Sequence, residues 1–449
     1  MTRAFWFSYK YQPGETLAKA SHLLAFFDLV VEGLSVARES CSRNMEAYHD
    51  HPIPELPTEI IFSHILPRLP AEDLMTRCRC VCKSWTSLIR SPSFVAAFLN
   101  FRCKDTTHFL FEYNNRYFSS KIEQQGNAPT PVAQLPYLTQ CRAFQGRFHD
   151  VKTLHGLVCA STWFGPVFIL NPTTRESIEL PHTDVLIETQ GKAFANYNFG
   201  FNPLTNEYKV LQFISVDPSG LTKWDFELNI FTIGTDSSWR PLQVHQHSHL
   251  LSEIAHGIRN DGVYINGAVH WIHKEQKVIV AFDVREETFT LVPLPQDYAQ
   301  VFEDIDDYES DDDCYCRGSA RVVEVEGCVG VFVVAKSDRI VSWILKDYQN
   351  HVWIKQTVSL MSRDDLGRRC SVRALGTIHT GELAFVRYFL GLTPGFNDGP
   401  PQLHLYDMKT KRFRILDFVF LNSVMRYDRE DSGSIRLISS YEESIVPLK

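Results

Sequence analysis

The spacing of apolar and polar positions changes character along the chain. Residues 1–50 follow no clear period. Between 53 and 100 apolar residues recur at helical spacing between prolines. From about 105 onward they fall into short runs rich in Val, Ile, Phe, Tyr and Trp, separated by Asn, Asp, Gly and Pro, which is the pattern of strands and turns. Pro57 suits a first helical turn, where its missing N–H costs nothing. Ile60, Ile61, Ile65 and Leu66 continue it as an apolar stripe, and Pro67 and Pro70 stop it. A second helix is predicted from Ala71, with Glu72 and Asp73 in the first turn, where acids suit the helix dipole, and with Leu74, Cys78 and Val81 on its apolar side. Trp85, Leu88 and Ile89 form a third face. Ser91-Pro92 caps and opens a fourth helix through Phe94, Val95, Phe98 and Leu99. So short a block cannot bury all this apolar surface by itself, so some of these faces are expected to need a partner.

The β region repeats a loose unit: an apolar strand, a tight polar turn, then a second strand ending in Leu or Pro. It occurs at Val167–Pro181 through Asn171-Pro172-Thr173-Thr174, at Phe201–Leu211 through Asn202-Pro203, at Ala281–Pro293 through Asp283, and at Leu405–Leu416 through Asp407. Asx at the turn start, with Pro after Asn171 and Asn202, fits type I turn chemistry. The clearest stretch is 262–293. There Val263–Ile265, an Asn266-Gly267 hairpin turn, Ala268–His273, Lys277–Asp283 and Thr288–Val292 predict a four-stranded meander. A less regular one spans Gly327 to Leu360. Such recurrence predicts a closed, propeller-like array of small sheets, with a pair of β-sandwiches as the competing architecture. The fold class expected is therefore α+β multidomain: a small all-α block, then an all-β propeller-like domain.

Composition narrows the functions open to such a chain. Of 449 residues, 44% are hydrophobic and 12% aromatic, enough to build cores and too many for a disordered chain. Leu23-Leu24-Ala25-Phe26-Phe27 is the strongest apolar run and is broken by Asp28, so no membrane-spanning segment is expected. The net charge is −8, but Glu303–Asp313 alone holds eight acids and no base, leaving 45 acids against 45 bases elsewhere. A neutral body has little drive toward phosphate backbones, so nucleic acid is not an expected partner. Eleven cysteines, an odd number over a long chain, point to a reducing compartment, cytoplasm or nucleus, rather than a disulfide framework. Arg3, Lys10 and Lys19 around an apolar run faintly suggest a targeting peptide. Glu15, Asp28 and Glu32 argue instead for a tail or a locally packed helix.

The string from Leu56 to Phe94 resembles the F-box motif, especially its plant form. It carries Leu56-Pro57, the Leu69-Pro70 stop, Leu74, the Arg79-Cys80-Val81-Cys82-Lys83-Ser84-Trp85 core and the closing Ser91-Pro92-Ser93-Phe94. The stretch between the two Leu-Pro pairs is one residue longer than the family usually has. One residue turns a helix face by about 100°, which leaves open which of Ile60, Ile61, His64 and Ile65 faces a partner. The β region is similar to the F-box-associated domain, through His155-Gly156-Leu157-Val158-Cys159, Asn171-Pro172-Thr173-Thr174 with Leu180-Pro181, Phe199-Gly200-Phe201-Asn202-Pro203 and Gly267-Ala268-Val269-His270-Trp271. No Gly-Gly pair occurs, so the chain departs from a clean kelch array. The domains expected are an N-terminal extension at 1–52, the F-box at 53–100, and the F-box-associated domain at 105–449 with an acidic loop at 303–313.

The resemblance implies a non-catalytic substrate-recognition subunit of a Skp–cullin–F-box ubiquitin ligase. The F-box would dock on a Skp-type adaptor and, through it, on cullin and RING subunits, while the β domain captures a protein target that the sequence does not identify. Leu56, Pro57, Ile61, Ile65, Leu69, Val81, Lys83 and Trp85 are the positions assigned to that interface or to the fold beneath it, with Trp85 as readily core as contact. The alternative is a propeller that binds a small ligand or a metal, or an enzyme built on one. Cys78, Cys80 and Cys82 lack a second Cys or His pair at zinc spacing. His245, His247 and His249 could line one side of a strand, and Cys314 and Cys316 flank Tyr315 beside the acidic run, without further support for a metal. His270 reads as a packed strand histidine. No nucleophile elbow, phosphate-binding glycine loop or dinucleotide fingerprint is present, so neither a catalytic residue nor a cofactor is expected.

Overall fold

A computed structural model of the chain describes residues 60–102, 107–113, 116–122, 130–134, 150–161, 166–183, 193–216, 225–242, 251, 262–273, 277–303, 320–334, 340–358, 370–389, 401–416, 418–420 and 436–448. The chain divides into two compact units, residues 1–101 and 102–449.

In the first unit the opening helix is not α. Ile61–Ile65 is a π turn, with the Leu66 N–H bonded back to the Ile61 carbonyl, and Leu66–Arg68 tightens to a 3₁₀ turn. Leu69 then leaves helical space at φ −76°, ψ 151°. Helix α1 (Ala71–Thr76) is shorter than the spacing predicts. Cys78–Cys80 is a 3₁₀ turn, and Cys82 is fully extended at φ −162°, ψ 169°. Three Cys and a Val within five residues are weak helix formers, so the helix gives way there. The Thr86 hydroxyl reaches the carbonyls of Arg79 and Cys82 at 2.6 and 3.1 Å across the break. Helices α2 (Lys83–Ile89) and α3 (Pro92–Arg102) follow. The hydroxyl of Ser91 accepts the Phe94 N–H at 3.3 Å, the cap its sequence announced. Leu66, Leu69, Leu74, Cys78, Ile89, Phe94 and Phe98 form the buried centre.

The second unit is a six-bladed propeller. Strands β1 to β3 are Thr107–Tyr113, Arg116–Ile122 and Thr130–Gln134. Blade one holds β4 to β7 (Asp150–Leu154, Leu157–Ser161, Val167–Asn171, Glu176–Glu179). Blade two holds β8 to β11 (Ala193–Asn202, Glu207–Val216, Asp225–Thr232, Arg240–Pro241). Blade three holds β12 to β15 (Val263–Ile265, Ala268–His273, Val278–Asp283, Thr288–Pro293), followed by helix α4 (Tyr298–Glu303). Blade four holds β16 to β19 (Arg321–Val325, Cys328–Val334, Ile340–Asp347, Val352–Val358), its first strand lying ahead of the Gly327 start that the sequence suggested. Blade five holds β20 to β23 (Cys370–Thr377, Leu383–Phe389, Gln402–Asp407, Arg412–Leu416). Strands β24 (Phe418–Phe420) and β25 (Arg436–Tyr441) return to the start of the unit and join β1 to β3 as blade six, in the order β24-β3-β2-β1-β25.

Each of blades one to five is an antiparallel meander in chain order. The first strand of each packs against the next around the centre, β4 on β8, β8 on β12, β12 on β16 and β16 on β20, while β25 packs on β4. The apolar cores lie between blades. Separate buried clusters join blades one and two, two and three, three and four, four and five, five and six, and six and one. A pair of β-sandwiches would instead gather two cores inside two sheet pairs. Six sheets sharing six seams exclude it.

Candidate functional site

The helical unit leaves two large apolar side chains exposed, Ile60 and Leu88, beside several half-buried ones. Leu56 and Pro57 lie outside the described residues. Of the other positions singled out from the sequence, Leu69 is 5% exposed and belongs to the core. Ile61, Ile65, Val81 and Trp85 are half-buried, and Lys83 is exposed at the start of α2. Trp85 stands edge-on to Phe62 at 5.3 Å, and Phe62 meets Phe94 at 6.2 Å, so these rings tie the π turn to α2 and α3. Phe62 and the two exposed apolar residues Ile60 and Leu88 were not among the positions assigned to the interface. Their signal was an apolar residue left over once each helix had filled its inward stripe.

The π turn bears directly on the additional residue between the two Leu-Pro pairs. A π turn takes in one residue more than an α turn. The segments on either side therefore keep the mutual rotation that an α-helix one residue shorter would give them, instead of being turned by about 100°. Residues 60–102 carry six Lys and Arg against two Asp and Glu. The described pair is loose: Arg77 lies 3.6 Å from Asp73. A unit with this surplus of bases is electrostatically complementary to an acidic surface.

The three neighbouring cysteines do not converge. Cys78 is buried, and burial, followed by the nearby Asp73, pushes its thiol up to about 12, so it stays protonated. Cys80 and Cys82 face solvent. Cys78 and Cys82 do not share a face as continuous helix would require, because Cys82 is extended. Among the described residues no group of three or more His, Cys, Asp or Glu could hold a metal. His245, His247, His249, Cys314, Cys316 and residues 304–313 of the acidic run lie outside the described residues. His270 is buried within β13, its Nε2 3.2 Å from the Tyr348 hydroxyl. No described helix is long and apolar enough to cross a membrane.

In the propeller the connections from first to second and from third to fourth strand lie at one end of each blade. Among the described residues these are tight turns, including His155-Gly156, Asn266-Gly267 and Glu326-Gly327, in which both residues have positive φ, as two-residue hairpins require. The segments that lead from one blade to the next at the other end largely fall outside the described residues.

A small helical module followed by a six-bladed β-propeller is the class of protein the fold defines. The chain matches the F-box associated beta propeller domain over residues 106–434 and an F-box-like domain over 53–97, and it belongs to the F-box proteins with an associated β-propeller. Among relatives in Arabidopsis thaliana it is 25% identical to the F-box protein DOR over 429 residues, covering 91% of this chain and 96% of that protein. It is 24% identical to F-box protein At1g52495 over 416 residues, covering 87% of each.

Proposed function

We propose that this chain is a non-catalytic substrate-recognition subunit of a Skp–cullin–F-box ubiquitin ligase, working in the cytoplasm or nucleus. The observation that carries the reading is the helical unit's exposed and half-buried apolar side chains, Ile60 and Leu88 with Ile61, Ile65, Val81 and Trp85, on a module of the F-box-like family. That module docks on a Skp-type adaptor, and the adaptor brings cullin and RING subunits. The propeller holds a protein target. The mechanism is proximity: with target and loaded ubiquitin carrier in one assembly, transfer becomes effectively intramolecular, and this chain needs to supply no reacting group.

Co-purification of the full chain with a Skp-type adaptor tests it. Leu88→Glu places a charge on an exposed position and leaves the core untouched, so the variant should keep its melting temperature and lose adaptor binding by at least about tenfold, the equivalent of ~1.4 kcal/mol. Trp85→Ala is the less decisive change, because it also removes the ring packed on Phe62. Failure of the folded wild-type chain to bind any Skp-type adaptor would overturn the reading.

A further inference from the structure

Five large apolar side chains of the propeller are exposed among the described residues: Leu204, Tyr348, Val352, Ile354 and Ile415. Three of them belong to one seam. Ile354 pairs with Ile344 across β18 and β19, and Ile344 is buried in the cluster between blades four and five, where Val358, Met408 and Phe413 also pack. Alternation along a strand puts Val352 and Ile354 on the same side as Val358, and Ile415 on the same side as Phe413. Val352, at 49% exposed, and Ile354, at 45%, thus form one wall of the outer seam, with Ile415, at 47%, on the wall opposite.

On the other side of β19, two residues are tied to blade three or to the neighbouring strand. The Trp353 indole N–H donates to the Pro293 carbonyl at 3.1 Å, and Lys355 reaches Asp297 at 2.6 Å while lying 5.4 Å over the Trp343 ring. The strand is therefore tied to blade three, while on its face toward blade five Val352 and Ile354 stay exposed among the described residues and only Val358 is buried. It is also the outermost strand of its sheet. At seven residues it is longer than β7, β11, β15 or β23, its counterparts in the other meanders. A long outer edge with apolar residues is a liability unless something covers it. In blade six the outer edge of β3 is covered: β24 lies along it in parallel.

Charge indicates what would cover β19. The turn at the foot of the opposite wall carries Lys409 and Lys411, and Arg412 follows it. Asp347 and Asp407 each accept two N–H groups of their own turns and remain anions, so residues 407–412 keep three bases against one acid.

We propose that this seam takes an extended segment of a captured protein. The segment adds as a strand along β19, with alternate apolar side chains in the seam and acidic residues at the end beside Lys409, Lys411 and Arg412. The inference rests on the proposed function only in calling the occupant a captured protein. The test below involves no adaptor, so the two readings fail separately.

The probe is the labelled peptide Glu-Glu-Val-Thr-Val-Thr-Val-Thr-Glu-Glu, titrated with the full chain and followed by fluorescence anisotropy. Acids at both ends serve either strand direction. Saturable binding is expected, weakened at least about tenfold by Ile354→Thr with Ile415→Thr, by Lys411→Glu with Arg412→Glu, and by exchanging the peptide's Glu for Lys or its Val for Ser. All these positions are exposed, so unchanged melting temperatures should show the variants folded. Absence of saturable binding, or binding indifferent to either variant, overturns the proposal. So does a dimer of the chain in solution that Ile354→Thr with Ile415→Thr dissociates, since the occupant would then be a second copy.

Discussion

Burial decides what His155 and His270 contribute. The ring of His155 stands edge-on to Phe201 at 4.8 Å, with Tyr264 and Tyr208 just over 6 Å away, and this apolar enclosure pushes its pKa down to about 4. His270 is likewise pushed down to about 4 by burial, against which backbone hydrogen bonds at Val263 and Ala268 work only in part. In the unfolded chain both should titrate near 6.5. Between those values the unfolded chain takes up protons that the folded propeller refuses. Stability from this source is therefore fully present above about pH 6.5 and is lost as pH falls toward 4. At pH 5 the loss is about 2 kcal/mol for each histidine. The propeller's melting temperature should fall from pH 7 to pH 5, and His155→Asn, which suits the positive φ of 47° at that position, should shrink the fall by roughly half. An undiminished fall would show that this ring is not what senses pH. His270 could be read from sequence as a packed strand histidine because it sits between Val269 and Trp271. His155 could not, since the rings enclosing it come from three later strands.

At the next scale, one turn recurs around the ring. Asn171, Asp283, Asp347 and Asp407 each accept, through Oδ1, the N–H groups two and three residues on, and Asn202 accepts that of Leu204. Four residues after each Asx comes a residue with φ between 54° and 61°: Arg175, Asn206, Glu287, His351 and Lys411. The sequence revealed four of these turns, through Pro or the flanking strands. It concealed Asp347-Tyr348-Gln349-Asn350, which has neither Pro nor Gly, and it concealed that the turn at Asn202 joins the first and second strands of its blade while the others join the third and fourth. Helix ends were less legible, because the π turn at Ile61–Ile65 and the break among the weak helix formers up to Cys82 do not follow from apolar periodicity. Asn171 differs from Asn202 in also donating to the Val446 carbonyl at 2.9 Å. Asn171→Ala should therefore cost about 2–3 kcal/mol and Asn202→Ala about 1 kcal/mol, compared by calorimetry of the propeller transition. Equal losses would mean that the link to Val446 contributes nothing.

For the molecule as a whole, closing the ring falls to the last strand. β25 pairs with β1 and seats Leu437 among Phe109, Phe111, Ala384 and Val386, joining blade six to blade five. The Tyr388 hydroxyl donates to the Leu437 carbonyl at 2.8 Å, and Tyr441 meets Ser119 at 2.7 Å. Residues 442–448 then cross blade one. The Ser444 N–H donates to Thr173 and the Leu448 N–H to Glu176. The chain passes so close to Gly156 that a Cβ there would stand 2.4 Å from the Ser444 Cβ and 2.5 Å from the Glu442 carbonyl oxygen, at a φ of +76°. This explains the glycine of the His155–Cys159 motif, whose reason is invisible in the sequence because its neighbour lies some 290 positions away. The family match ends at residue 434, and β25 carries no turn signal or repeat that marks it as the closing strand. Removing residues 442–449 should leave one cooperative transition at a temperature lowered by a few degrees, because the ring stays shut and only the strap over blade one is lost. Removing 436–449 should abolish that transition, since it bares the inner edge of β1 and opens the seams on both sides of blade six. A peptide of residues 436–449 added to the shorter chain should restore the transition in proportion to its concentration. A chain that melts unchanged without β25 would show instead that the blades hold each other without a closing strand.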